Sequence, residues 1–64
     1  MKNYRTDLII AADRADYDLP ETQLNYLADR EDEMIKRFSF VDLIKFFIEC
    51  KDNGFDKTIE KYEL

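Results

Sequence analysis

The sequence contains no histidine and no tryptophan, and it has one residue each of cysteine, glycine and proline. Without histidine, and with a single cysteine, the chain lacks the usual ligands of a zinc site and the pairs that activate a serine or cysteine nucleophile. A single cysteine also excludes an internal disulfide bond, as is typical of proteins in a reducing compartment. We therefore expect a cytoplasmic protein that is not an enzyme and that binds no metal or other cofactor.

One glycine and one proline leave few turns, which indicates helices rather than a many-stranded sheet. Five phenylalanines and four tyrosines, in a chain that is 45% apolar, argue against a disordered polypeptide. No apolar run approaches the roughly 18 residues that a membrane helix needs, and no hydrophobic segment typical of a signal peptide follows the N-terminus. At 64 residues the chain allows one helical domain, residues 1–64, with a small core.

The spacing of apolar residues predicts an all-α fold, a small three-helix bundle with a short C-terminal helix or turn. The three predicted helices cover residues 4–16, 20–37 and 40–51. A short strand starting at residues 8–10 is the alternative for the first of these segments.

Residues that begin and end helices set these boundaries. Pro20 suits the first turn of the second helix, and Ser39 is a favourable N-cap for the third. Asn53 or Gly54 supplies the left-handed residue that ends the third helix. Asp56 then caps the short final segment.

The third helix is apolar over more than half of its circumference, so we expect it to lie at the centre of the fold or in an interface. Its apolar residues are Phe40, Val41, Leu43, Ile44, Phe46, Phe47, Ile48 and Cys50. The first helix carries a narrower stripe of Tyr4, Leu8, Ala11, Ala12 and Ala15, and the second carries Leu24, Leu27, Ala28, Met34, Ile35 and Phe38. So small a core cannot cover all these side chains, which predicts self-association or a hydrophobic contact with a larger partner.

Glu31 falls inside the apolar stripe of the predicted second helix. A buried and unpaired carboxylate costs several kcal/mol or becomes neutral. Three interpretations remain open: the side chain reaches out to solvent, it pairs with Arg5 or Arg14 of the first helix, or it faces a basic residue of a partner.

Negative charge is concentrated in the first half of the chain. Residues 13–33 hold eight acids and two bases, a net charge of −6, whereas the rest of the chain carries +1. A negative surface of this kind disfavours direct binding to nucleic acid or to anionic lipid and favours a basic protein surface.

We therefore expect a small acidic inhibitor or adaptor that docks on a larger protein, including a protein that handles nucleic acid. The expected binding residues are Asp16, Tyr17, Asp18, Glu21, Tyr26, Asp29, Asp32 and Glu33. The acids would orient the complex, and the two tyrosines would anchor it. Small acidic helical inhibitors of restriction or CRISPR enzymes, of phage or mobile-element origin, are similar in general character. A homodimeric module joined through residues 40–51 is the alternative.

A second alternative comes from the segment DLPETQLNYLADREDEMIKRF, residues 18–38. Its spacing resembles the helical hairpin of the small sporulation-type aspartyl-phosphate phosphatases, whose second helix carries the pattern Ser-x-x-Leu-Asp-x-Leu-Ile-x-x-Tyr. The corresponding residues are Ala28, Glu31, Asp32, Met34, Ile35 and Phe38. The aspartate and the apolar pair match, whereas the serine and the first leucine do not. The resemblance implies a regulator of a phosphorylated response regulator, with Asp32 required for loss of the phosphoryl group.

Overall fold

The computed structural model describes residues 3–64, which form five α-helices and, over that range, no strand. In chain order these are α1 (Tyr4–Arg14), α2 (Glu21–Ala28), α3 (Glu31–Arg37), α4 (Phe40–Asn53) and α5 (Phe55–Tyr62). The all-α class is confirmed, but five helices replace the expected three with a short C-terminal element. None of the helices in this part of the chain combines the length and the apolar content that a membrane crossing requires.

Helix α1 buries the stripe that the sequence predicts. Leu8, Ala11, Ala12 and Ala15 are all buried, and α1 packs against α4. The side chain of Asn3 caps the helix by accepting a hydrogen bond from the backbone N–H of Arg5 at 2.9 Å. The helix ends two residues before the expected boundary.

The end of α1 has a local cause at Asp16. This residue takes a positive φ of 57°, a left-handed conformation that aspartate tolerates better than most residues and that a helix interior does not allow. The expected extension to residue 16 is therefore wrong, and the backbone turns towards α2 there.

The expected continuous helix over residues 20–37 is also wrong, because the chain bends between α2 and α3. Asp29 is the C-cap of α2, and Arg30 leaves the helical conformation with φ −108° and ψ 22°. The Arg30 side chain donates hydrogen bonds to the carbonyl oxygens of Tyr26 at 3.0 Å and Leu64 at 2.7 Å. These bonds hold the bend against the end of α5.

Helix α4 occupies the centre of the fold, as the sequence predicts, and it packs against both α1 and α5. Ser39 caps its start in a complete capping box with Asp42. Hydrogen bonds from the backbone N–H and the hydroxyl of Ser39 lower the pKa of the Asp42 carboxyl. The helix ends at Asn53, two residues after the expected boundary, and the φ of 96° at Gly54 interrupts the helical backbone there.

Helix α5 begins at Phe55, so the expected cap at Asp56 is wrong. Instead, the buried hydroxyl of Thr58 donates a hydrogen bond to the carbonyl oxygen of Gly54 at 2.8 Å. At its other end, Lys61 forms an ion pair with Glu49, and the hydroxyl of Tyr62 donates a hydrogen bond to the same carboxylate. These contacts dock the short helix against α4 and lower the pKa of Glu49.

Candidate functional site

Four carboxylates cluster where the chain bends from α2 into α3. We call them the acidic turn, and its members are Asp29, Glu31, Asp32 and Glu33. All four side chains are exposed, and none of them forms an ion pair with another residue of the range 3–64. The bend therefore presents four negative charges to solvent within five consecutive residues.

Arg30, the one base within this run, is turned away from the acids. Its guanidinium lies 3.4 Å from the centre of the Tyr26 ring and bonds the carbonyl oxygens of Tyr26 and Leu64. Its cationic group is therefore engaged with main-chain oxygens and the Tyr26 ring rather than with the carboxylates beside it in sequence.

The other expected acids, Asp16, Asp18 and Glu21, lie before or at the start of α2, and all three are exposed. The axis of α2, about 12 Å long, separates Glu21 from the acidic turn. Asp16 forms an ion pair with Lys51 at 3.0 Å. Because both groups are exposed, this pair contributes about 1 kcal/mol or less.

The two tyrosines expected to anchor a partner are both used inside the fold. Tyr17 stacks on Phe47 with ring centres 5.7 Å apart, and its hydroxyl donates a hydrogen bond to Gln23. Tyr26 packs edge-on against Phe55, and its hydroxyl donates to the Leu64 carbonyl at 3.1 Å. Both are half-buried, so their part in binding stays a prediction.

Glu31 is exposed, because the bend before α3 changes the direction in which its side chain points. The expected pair with Arg5 or Arg14 does not form. Arg5 bonds the side-chain oxygen of Asn25 at 2.6 Å, and the Arg14 guanidinium lies 5.7 Å from the centre of the Phe40 ring. The two remaining interpretations, a side chain in solvent and one that meets a partner, both require this exposure.

A groove of about 340 Å³ lies between α1, α3 and α4, and sequence reasoning missed it. Its walls carry Tyr4 and Asp7 from α1, Glu31 and Ile35 from α3, Leu43 and Phe40 from α4, and Phe38. Ile35 is 56% exposed, although the sequence places it in the apolar stripe. The only signals in the sequence were Glu31 among apolar neighbours and a surplus of apolar residues.

Tyr4 lines this groove with a hydroxyl that is buried and has no hydrogen-bond partner. Burial, together with the negative charges of Glu31 and Asp7, raises the pKa of Tyr4 to about 12. The groove thus joins an apolar wall to a strongly negative end.

Three other expectations bear on chemistry. Cys50 is buried as expected, and burial raises the pKa of its thiol to about 11. The residues matched to the phosphatase pattern are divided between two helices, since Ala28 ends α2 and Asp32 lies in the first turn of α3. The activity implied by that resemblance stays a prediction. Over residues 3–64, no three acidic or cysteine side chains are grouped so that they could hold a metal ion.

The chain matches no protein-family model, no curated protein and no solved structure. The acidic turn and the groove beside it are therefore the features from which a function is inferred.

Proposed function

We propose that this protein is a small non-enzymatic inhibitor or adaptor whose acidic turn docks on a basic surface of a larger protein. The observation that carries the proposal is the exposure of four carboxylates at residues 29–33, with Arg30 turned inward. Complementary charge of this kind steers encounter and fixes the orientation of a complex.

The helix dipole accounts for part of this arrangement. The first turn of α3 holds Glu31, Asp32 and Glu33, and its last turn holds Lys36 and Arg37. Acids at the start of a helix and bases at its end are both stabilised by the helix dipole. Asp29 lies before the helix, and Arg30 could have screened all four acids from its position between them. Because Arg30 points inward, the four acids stay without a neighbouring base. The helix dipole alone does not explain this concentration of negative charge.

A protein that handles nucleic acid is the favoured class of partner. Three consecutive acids begin α3, and an α-helix rises about 1.5 Å per residue. Duplex DNA carries one phosphate charge per about 1.7 Å of its axis. In this proposal the exposed acids of the bend take the place of phosphate charges in a basic nucleic-acid groove.

Two variants with equal charge changes test the proposal. The first replaces three acids of the acidic turn, in Asp29→Asn, Asp32→Asn and Glu33→Gln. The matched control makes the same types of change at exposed residues of α4 and α5, in Asp52→Asn, Asp56→Asn and Glu60→Gln. Circular dichroism checks that both variants keep their helices.

The partner is enriched from an extract of the native host, purified and measured against each variant at low salt. We expect the acidic-turn variant to lose about tenfold or more in affinity, and the control to lose less than about threefold. Equal affinities of the two variants would contradict the proposal.

Exposed apolar residues of α4 favour self-association as a second candidate. Val41 is 58% exposed and Ile48 is 43% exposed, and their separation of seven residues places them on one face of the helix. This candidate predicts a dimer in sedimentation equilibrium at micromolar concentration, with Val41→Gln and Ile48→Gln together giving a monomer. A wild-type chain that stays monomeric would remove it.

A further inference from the structure

We propose that the groove between α1, α3 and α4 receives one arginine side chain of the protein partner. The inference deepens the proposed function, on which its biological meaning rests, because it names the side chain that the partner supplies. At about 340 Å³ the groove lies at the small end of ligand pockets, which span roughly 300–1,000 Å³. It therefore suits one side chain better than a cofactor.

The two halves of the groove match the two halves of an arginine. Asp7 and Glu31 line it without an ion pair to any residue of the described range, so they can accept the guanidinium. Ile35 and Phe40 are exposed apolar wall residues that can cover the aliphatic stem. A planar guanidinium also forms two parallel hydrogen bonds with a carboxylate and stacks on aromatic rings. An ammonium group does both less well.

The chain's own arginines near the groove contact aromatic residues of its wall and not its acids. Arg14 lies over the Phe40 ring, and Arg37 lies over Phe38 and donates to the carbonyl oxygen of Tyr62. Neither is within ion-pair distance of Asp7 or Glu31. Asp7 and Glu31 can therefore pair with a cation that does not belong to the described residues.

The probe for this proposal is Nα-acetyl-arginine methylamide, with the citrulline analogue as a neutral control of the same shape. Each is titrated at low salt into the 15N-labelled protein, and the amide signals are followed by NMR. We expect the arginine compound to shift signals at the start of α1, in α3 and at the start of α4, with saturation in the millimolar range. The citrulline compound should shift them little.

Glu31→Gln and Glu33→Gln form a matched pair on α3, because both acids are exposed and only Glu31 lines the groove. We expect Glu31→Gln to weaken arginine binding about threefold or more, and Glu33→Gln to change it less than about 1.5-fold. Asp7→Asn should act as Glu31→Gln does, provided that its circular dichroism spectrum is unchanged.

Equal binding of arginine and citrulline, or equal losses in the two glutamate variants, would overturn the groove proposal. Such a result would leave the acidic turn untouched, since that is tested with the partner itself. Conversely, arginine binding in the groove would stand even if the acidic-turn variant kept its full affinity for the partner.

Discussion

The Nε atom of Arg30 donates a hydrogen bond to the carbonyl oxygen of Leu64 at 2.7 Å, and this contact joins the α2–α3 bend to the end of α5. The contact thereby fixes the relative position of two residues that are 34 positions apart in sequence. The same contact leaves the carboxylates on either side of Arg30 without their nearest base. One side chain thus shapes both the fold and the candidate site.

Replacing Arg30 tests its role in the fold. Arg30→Gln should lower the free energy of unfolding by about 1–2 kcal/mol, because it loses the charged donor to two carbonyl groups and the contact with the Tyr26 ring. Lys36→Gln removes an exposed base of α3 and should change it by less than about 0.5 kcal/mol. Urea unfolding measures both, and equal stabilities would show that Arg30 does not hold the bend.

Tyr4→Phe should leave stability at pH 8 unchanged or slightly higher, because the deleted hydroxyl is buried without a partner. A larger effect should appear at high pH. The fold raises the pKa of Tyr4 from its ordinary value of 10.0 to about 12, so the neutral form is favoured. Wild-type stability is therefore independent of Tyr4 ionisation below pH 10 and falls as the pH rises from 10 to 12, because the unfolded chain ionises this tyrosine before the folded one does.

Urea unfolding of wild type and Tyr4→Phe at pH 8, 10 and 11 measures this difference. The variant should become the more stable of the two as the pH rises, since it has no hydroxyl to ionise. A constant difference across that range would show that the groove does not disfavour the ionised tyrosine.

The Cys50 thiol should react slowly with disulfide reagents in the native protein. Burial raises the pKa of the thiol to about 11, which lowers the thiolate fraction at pH 8 by about a hundredfold relative to a free cysteine. Labelling followed by absorbance in buffer and in urea gives the two rates. Similar rates would mean that α4 and α5 do not cover the thiol.

Gly54→Ala should destabilise the protein by about 1–3 kcal/mol through the backbone alone. An added methyl group would meet no atom within 4 Å, but the φ of 96° and ψ of 151° belong to a region that other residues rarely adopt. Asn53→Ala, at the last residue of α4, should cost much less. Thermal unfolding compares the two, and equal losses would contradict the backbone explanation.

The helical class and the ends of α4 follow from local signals that act within a few residues. The sequence predicts the Ser39 cap and a stop at Asn53 or Gly54, although α4 continues two residues past its predicted end. The bend at Arg30 depends on Leu64, which lies far away in sequence, so periodicity alone predicted one continuous helix. The early end of α1 is a different kind of error, because its cause, the positive φ of Asp16, is local but is marked by no sequence signal.

The candidate site likewise has a part that the sequence predicts and a part that depends on tertiary packing. The sequence predicts Asp29, Asp32 and Glu33 as binding residues, and all three are exposed, as binding requires. The groove could not be predicted, since it depends on where the bend places α3 relative to α1 and α4. The internal use of Tyr17 and Tyr26 also needed the packing of α5 and α4 to be known.

The association rate constant with the purified partner, measured by stopped flow at several ionic strengths, tests the central claim most directly. Steering by the acidic turn predicts a rate constant that falls steeply for wild type as salt rises, and equally steeply for the variant of Asp52, Asp56 and Glu60. The variant of Asp29, Asp32 and Glu33 should lose most of this dependence. An unchanged slope in that variant would contradict the claim that the acidic turn meets a basic partner.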